Sequence, residues 1–512
     1  MTHTANFIAA DLGASSGRLM MGRWNGRTFA LEELHRFPNG GVHVAGTLHW
    51  DVLRIWSEIQ NCLMKYHARF DRSPTAIGVD AWGVDFALLD KRGRLLGNPY
   101  HYRDARTNGI PELVFQHVDE RELFSQTGVR TMQINTLFQL YSMAHSSDPQ
   151  LKAAYTLLMI PDLFHYFLSG TRRVEYTEAT TTQMFALSGD WAWSLLERLA
   201  IPAHILPKVV FPGTSLDTVR PEILRHTGIN STFPVIATAS HDTANAVAAI
   251  PEMDENSAFI SSGTWSLMGT ETREPVTSEQ AFALKFTNEG GADGTMLLVK
   301  NLTGLWILQE CLRQWTSEGH AYTWADIIAM ASSANAFQCV LDVDASDFRM
   351  PVNMPAAIAA YCRSTAQSLP GSIGAVARCC LESLSLKYRS VLTSLEVLTE
   401  RHLKTIRIVG GGCLNTLLCQ MTADACDRVV VSGPVEASGY GNVMLQAIAT
   451  GHLPNMKAGR AAMAESVQCI TYVPQKTGAW DEAYARVELL QAVACKMNNP
   501  AASSGVSQNS AR

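Results

Sequence analysis

Apolar and polar positions open the chain with a hairpin pattern. Apolar residues run from Asn6, are interrupted by the tight stretch Asp11-Leu12-Gly13-Ala14-Ser15-Ser16-Gly17, and resume at Leu19, Met20 and Met21 as far as Trp24. Gly26 and the alternation over Thr28 to Leu34 predict a third antiparallel strand, and Trp50 to Phe70 carries helical spacing. Thr75 to Leu89 reads as a strand pair closed by the turn Asp90-Lys91-Arg92-Gly93. Pro111 to Leu199 is mostly helical in pattern, and Pro161, Pro202, Pro207 and Pro212 punctuate its later part and the residues just beyond it. The pattern restarts after about Pro251. Ala258 to Thr270 predicts strand, Ser-Ser-Gly turn and strand, and Leu302 to Trp315 predicts a helix. Leu384 to Leu398 is amphipathic, Thr405 to Val409 is a buried-type strand ending in Gly410, Gly411 and Gly412, and Asn415 to Cys426 is a helix.

This alternation gives an α/β chain. At 512 residues it exceeds what one core organises, so two domains are expected, at 1–250 and 251–490. The polar segment from Asn498 to Arg512 is expected to be disordered. Ser15-Ser16-Gly17 and Ser261-Ser262-Gly263 take equivalent places in two strand-turn-strand units, which points to a duplication or, on three residues, to chance.

Composition narrows the function. Hydrophobic residues make up 47% and charged residues 17%, which excludes general disorder. The net charge of −6 provides no basic field for nucleic acid. The 11 cysteines form no CxxC pair, so reduced thiols in a cytoplasmic protein are expected. No cationic segment precedes the first apolar run, and nowhere do 18 apolar residues run together, so neither a signal peptide nor a membrane partner is expected.

Asp11 to Arg18 puts a carboxylate at a strand end, then small residues whose backbone N–H groups can cradle an anion, then a guanidinium. That suits phosphate with Mg²⁺, and equally an ordinary Gly/Ser hairpin. Gly13, Ser15 and Gly17 also match the G-x-S-x-G nucleophile elbow, but a strand-like run comes next where that motif needs a helix. No phosphate-binding G-x-x-x-x-G-K-[ST] loop occurs. Ser240-His241-Asp242-Thr243 comes after the apolar strand Pro234 to Ala239; Asp242 reads either as a general base or as the N-cap of a helix over Ala244 to Ala249, and His241 as a ligand or a core histidine. In Asp80 to Phe86, Trp82 offers a face for a sugar ring and Gly83 close backbone approach, or the pair is a bulge glycine with a half-buried tryptophan. Cys419 and Cys426 share a helical face and read as core.

Several separated segments in order, among them AADLGASSGR (9–18), GVDAWGVDFALLD (78–90), EYTEATTTQ (175–183), ASHDTA (239–244), SSGTWSLMG (261–269), NEGG (288–291), KNLTGLW (300–306), VGGGCLNTLL (409–418) and GPVEASGYGN (433–442), resemble the FGGY carbohydrate kinases. NTLFQLY over Asn135 to Tyr141, where many relatives carry Pro-Lys, resembles the branch acting on L-rhamnulose. The resemblance implies two ribonuclease-H-like domains of the actin/hexokinase ATPase type around a cleft, ATP and Mg²⁺ as cofactors, a ketose substrate, and a monomer or small homo-oligomer. It implies Ala14, Ser15, Ser16, Gly17 and Arg18 as a first phosphate loop, Asp11 at the metal, and Thr264 in a second loop. The resemblance further implies Gln309 and Gly411 near the nucleotide, Gly83, His241, Thr243 and Asn301 near the sugar, and Asp242 as the base that opens phosphoryl transfer to the C1 hydroxyl. Cys362 and Cys379 stand where some relatives have a cysteine pair and are expected to be free.

Overall fold

The computed structural model describes residues 4–475 and 478–498. The chain forms two compact units. The first comprises Met1–Glu255, Gly269–Lys300 and Glu436–Gln468; the second comprises Asn256–Met268, Asn301–Val435 and Cys469–Arg512.

The first unit is organised by a six-stranded sheet. Its strands are β1 (Ala5–Leu12), β2 (Ser16–Trp24), β3 (Phe29–Pro38), β4 (Ala76–Ala81), β5 (Thr214–Thr218) and β6 (Pro234–Ala237), in the order β5-β6-β4-β1-β2-β3. β1 to β3 form the expected antiparallel meander, whereas β4 runs parallel to β1 and β6 parallel to β4. Every residue of β1 is buried, which explains its nearly unbroken apolar run: a parallel strand is covered on both faces. On one face Ile8, Ala10 and Leu12 join Val52, Ile55, Ile59 and Leu63 of helix α1 (Val52–Phe70). Asp51 caps that helix by accepting from Arg54 N at 3.1 Å, and Asp71 ends it in the left-handed region at φ 44°.

Three short helices complete the frame around the polar strand ends: α2 (Tyr176–Thr181), α3 (Asp242–Ala248) and α4 (Ala437–Ala449). α4 returns from far along the chain to pack on β1 and β4. Gln446 Nε2 donates to the carbonyl of Ile8 at 2.9 Å, and Asn442 Nδ2 donates to Asp80 Oδ2 at 2.6 Å. α4 also lies against α3 so closely that a Cβ on Gly441 would sit 1.9 Å from the carbonyl oxygen of Asn245.

The later strands are β7 (Ser257–Ser262), β8 (Ser266–Thr272), β9 (Thr287–Gly290), β10 (Met296–Leu302), β11 (Thr405–Val409), β12 (Val429–Ser432) and β13 (Ile470–Tyr472). β9 pairs antiparallel with the start of β10 within the first unit. In the second unit β7 runs parallel to β11, β11 parallel to β12, and β13 closes antiparallel on β12. A hairpin, two parallel neighbours and an antiparallel edge thus recur in both sheets.

The structure departs from the sequence expectations at four places. Ala76–Ala81 and Phe86–Leu89 do not pair with each other, because the buried first run belongs in the parallel sheet while the second pairs with Thr156–Met159. The helix expected from Leu302 is Trp306–Ser317, since Leu302 still ends β10. The two Ser-Ser-Gly tripeptides are out of register: Ser16 and Gly17 open β2, whereas Ser261 and Ser262 close β7. The true counterparts are the turns after each first strand, beginning at Gly13 and at Gly263. In both, the glycine N–H turns back on the loop, to Ser16 O at 3.0 Å and to Trp265 O at 2.9 Å. Finally, Asn498 ends the helix Gly478–Asn498, and the rest of the expected tail, 499–512, lies outside the described residues.

Glu175 anchors α2. It is fully buried; its Oε2 accepts from Thr177 N at 2.9 Å, from the Thr177 hydroxyl, and from Ser240 N at 3.0 Å. Burial pushes its pKa up to about 8, the hydrogen bonds opposing the rise.

This packing can be tested at two residues. Gly441→Ala should lower stability by about 1–3 kcal/mol, because the obstacle is backbone rather than a movable side chain; an unchanged unfolding midpoint would contradict the close approach. For Glu175, the native group holds its proton up to about pH 8 and the unfolded one only to about 4.5, so its contribution is complete below the lower value and lost as pH rises through the higher. Glu175→Gln should therefore flatten the fall in urea midpoint between about pH 5 and about pH 8, and an unaltered slope would refute the assignment.

Candidate active site

Three parallel strands of the first unit end side by side, and the polar residues of the sequence emerge there, where α/β sheets bind ligands. Asp11 near the end of β1 lies opposite Asp80 of β4, and the segment after β6 bridges Ala81 to His241. Asp242 is next in the chain. It is not the N-cap of α3: His241 occupies that position and Asp242 is the first helical residue, with Thr243 Oγ1 donating to Asp242 Oδ1 at 3.2 Å. Its side chain is 35% exposed, so the carboxyl is walled by protein yet reaches solvent. Burial, then the charge of Asp11, pushes its pKa up to about 7. Asp80 is also raised well above the carboxylate range, by burial first and Asp11 second.

Arg18 is placed opposite Asp11 by hairpin register, and its Nη2 donates to Asp11 Oδ2 at 2.8 Å. Its other branch pairs with Glu436, and Ser438 Oγ donates to Asp11 Oδ2 at 2.7 Å. Of the first loop, Ser15 is exposed, Ala14 and Ser16 are half-buried, and Gly17 is buried beneath Phe37, whose ring a Cβ would meet at 2.2 Å. Gly17 is thus required by packing. Asn39 braces the turn, donating from Nδ2 to Gly13 O at 2.8 Å and from its backbone N to Ser15 O at 3.0 Å. Ser15 leads into a strand, not the helix of a nucleophile elbow.

Gly83 packs against α2, where a Cβ would meet Thr181 Cγ2 at 2.9 Å. Trp82 is no open sugar platform. It is 6% exposed, lies tilted against Trp50 with centroids 4.0 Å apart, and donates to Asp85 Oδ2 at 3.0 Å. Its neighbour Asp85 also accepts from Trp50 Nε1 and Gln139 Nε2, so the pair forms a buried, satisfied polar core. Thr177 Oγ1 accepts from His241 N at 3.0 Å and so joins α2 to the start of α3. Thr243 and His241 are buried. His241 Nε2 lies 3.6 Å from Asp242 Oδ1 and Nδ1 lies 3.4 Å from Glu289 Oε2.

The second unit holds Thr264, Asn301, Gln309 and Gly411. Thr264 is exposed in the turn after β7; its carbonyl accepts from Trp306 N at 3.1 Å, starting the helix that carries Gln309 one turn on. Gly411 lies after the parallel strand β11. Its neighbour Gly412 fits against Ser262, whose Oγ a Cβ would meet at 2.0 Å, so the turn at 263–265 and the run 410–412 are brought together. Asn301 is half-buried near the end of β10. Reading the sequence did not single out Asp80, Glu289, Glu436 or Ser438. The signal available for the last two was Glu-x-Ser at a helix start after Gly433-Pro434; Asp80 was marked only as a carboxylate in an apolar strand. Among the described residues Cys362 and Cys379 are free and buried, and Cys419 and Cys426 are core.

The N-terminal domain model of the FGGY family of carbohydrate kinases matches residues 7–249, and the C-terminal domain model matches 258–450. A rhamnulokinase of Bacteroides thetaiotaomicron is 42% identical over 480 residues, covering 94% of this chain and 98% of that protein. A rhamnulokinase of Oceanobacillus iheyensis is 37% identical over 468 residues, covering 91% and 97%. The fold is similar to that of a ligand-bound xylulose kinase from Lactobacillus acidophilus, with TM-score 0.79 at 17% identity over 98% of this chain and 99% of the other. It is also similar to Plasmodium falciparum glycerol kinase with ADP, with TM-score 0.75 at 13% identity over 96% and 98%. With both family models matched over most of its length, this chain belongs to the FGGY family of carbohydrate kinases.

Proposed function

We propose that this enzyme transfers the γ-phosphoryl group of ATP to the C1 hydroxyl of L-rhamnulose, giving L-rhamnulose 1-phosphate and ADP in the cytoplasm. The substrate reading is supported by the relatives named rhamnulokinase. The observation that carries the chemistry is Asp242, a partly exposed carboxylate at a strand end with a pKa raised to about 7, where a general base works best near neutral pH.

In this reading Asp242 takes the proton of the C1 hydroxyl as its oxygen bonds to the γ-phosphorus and the bond to the bridging β-oxygen breaks. Arg18 supplies a guanidinium fork to the charge that spreads over the transferring oxygens, held in place by Asp11 and Glu436. In the first unit the turn at Gly13 offers backbone N–H groups to phosphate. Within the second unit, taken by itself, the turn at Gly263 carries the exposed Trp265, an apolar surface suited to a purine. In this reading His241, Thr243 and Gly83 are the first unit's residues for the sugar.

Among the described residues no three His, Cys, Asp or Glu side chains gather as a metal cage. Mg²⁺ is commonly held by one or two carboxylates together with substrate phosphates, and in this reading Asp11 supplies such a hard oxygen donor. The ion would neutralise charge on the β- and γ-phosphates. Asp11 is kept ready by Arg18 and Ser438, which fix its orientation.

Two measurements test the reading. ADP release with Mg-ATP, assayed over L-rhamnulose, L-fuculose, L-ribulose, D-xylulose and glycerol, should be fastest with L-rhamnulose; preference for another ketose would overturn the substrate, and silence on all would overturn the activity. Asp242→Asn should lower kcat by about 10²–10⁴-fold in a protein that stays folded, and an unchanged kcat would remove Asp242 from the role of base.

A further inference from the structure

Two buried polar atoms of the first unit lack a hydrogen-bond partner: Nδ1 of His241 and Oε2 of Glu289. They are 3.4 Å apart, and both side chains are 10% exposed. Buried polar atoms in native proteins are almost always satisfied, and two orphans this close are each other's nearest means of satisfaction once the imidazole turns into line. The remaining nitrogen, Nε2, looks toward Asp242 Oδ1 at 3.6 Å. Glu289 is held there by its strand. β9 fixes it opposite Leu297 of β10, and the next residue, Gly290, donates from N to Thr180 Oγ1 of α2 at 2.8 Å.

We propose that Glu289 is a positioning residue: it accepts the Nδ1–H of His241 and so fixes the tautomer whose bare Nε2 faces Asp242. This rests on Asp242 being the base. A neutral imidazole carries one proton, and which nitrogen holds it is set by the hydrogen bonds its surroundings offer. With the proton on Nδ1, Nε2 cannot donate to Asp242, and the carboxylate keeps its lone pairs for the substrate hydroxyl. With the proton on Nε2, the ring would donate to Asp242 and weaken it as a base. Burial holds His241 neutral, its pKa being lowered, so the choice of tautomer matters at working pH.

Ring-¹⁵N-labelled histidine in the full chain reads the tautomer directly, with His241 identified by the signal lost in His241→Gln. The wild type should show a protonated Nδ1 and a bare Nε2. Glu289→Ala should shift the proton to Nε2 and lower kcat by about 10–100-fold, with KM for the ketose changed less than about threefold. Glu289→Gln keeps an acceptor oxygen and should restore both the tautomer and most of kcat. A wild-type His241 protonated at Nε2 would overturn the proposal, as would a Glu289→Ala enzyme with tautomer and kcat unaltered. If Glu289→Ala does not fold, the wild-type tautomer and Glu289→Gln decide. Because the tautomer is read without substrate, wild-type protein inert toward every ketose would remove the proposed function while the placement of the proton is still determined.

Discussion

Like charges held close together set the terms for the first unit. β1 and β4 run parallel in a register that puts Asp11 beside Asp80, and the segment after β6 adds Asp242. Burial and the charge of Asp11 both disfavour the ionised forms of Asp80 and Asp242. The compensation is built in. Arg18 comes from the facing strand of the hairpin, Ser438 from the start of α4, and Asn442 one turn further on donates to Asp80. What remains is graded: Asp80 is pushed well above the carboxylate range, Asp242 to about 7.

Local order was the part most open to reading from sequence. The hairpin at Asn6 to Trp24 was visible because alternation and a Gly/Ser turn are properties of adjacent residues, and so was the helix over Trp50 to Phe70. Pairings set by long-range packing were not visible. Thr75 to Leu89 has the apolar content of a hairpin, and only the choice between neighbours in space sends its two halves to different sheets. The repeat showed the same divide. Ser-Ser-Gly recurs as a string, yet structural equivalence lies in the turns, because a strand's exit, rather than a tripeptide, fixes where the backbone can curl. The network around Asp11 was hidden for a simpler reason, since Glu436 and Ser438 lie more than 400 residues further along the chain. Asp242 was legible as a residue but not as to role; both readings fitted a carboxylate before a helix, and its place one residue inside α3 removes the cap reading.

Glycine serves different physical ends at sites that look alike in sequence. Gly17 lies within the loop implied to cradle phosphate, yet Phe37 alone forbids a side chain there. A Cβ on Gly411 would meet no atom within 4 Å, while one on its neighbour Gly412 would run into Ser262. Of such a glycine run, one member faces outward and another serves the packing beneath it. The same separation applies to tryptophan: Trp82, offered as a platform for sugar, is committed to the core, whereas Trp265 is half exposed.

The return of α4 has a consequence for how the molecule is made. Residues 436–468 complete a unit whose first strands are made more than 400 residues earlier, and they supply the donors for Asp80 and for the carbonyl of Ile8. Until that segment leaves the ribosome, one face of β1 and β4 is uncovered, with apolar surface and unpaired polar groups exposed together. A fragment cut at residue 255 would carry the same defect permanently. The N-terminal half is therefore a nascent chain awaiting its lid, not a domain that matures by itself, and synthesis of nearly the whole polypeptide must precede the first finished carboxylate cluster.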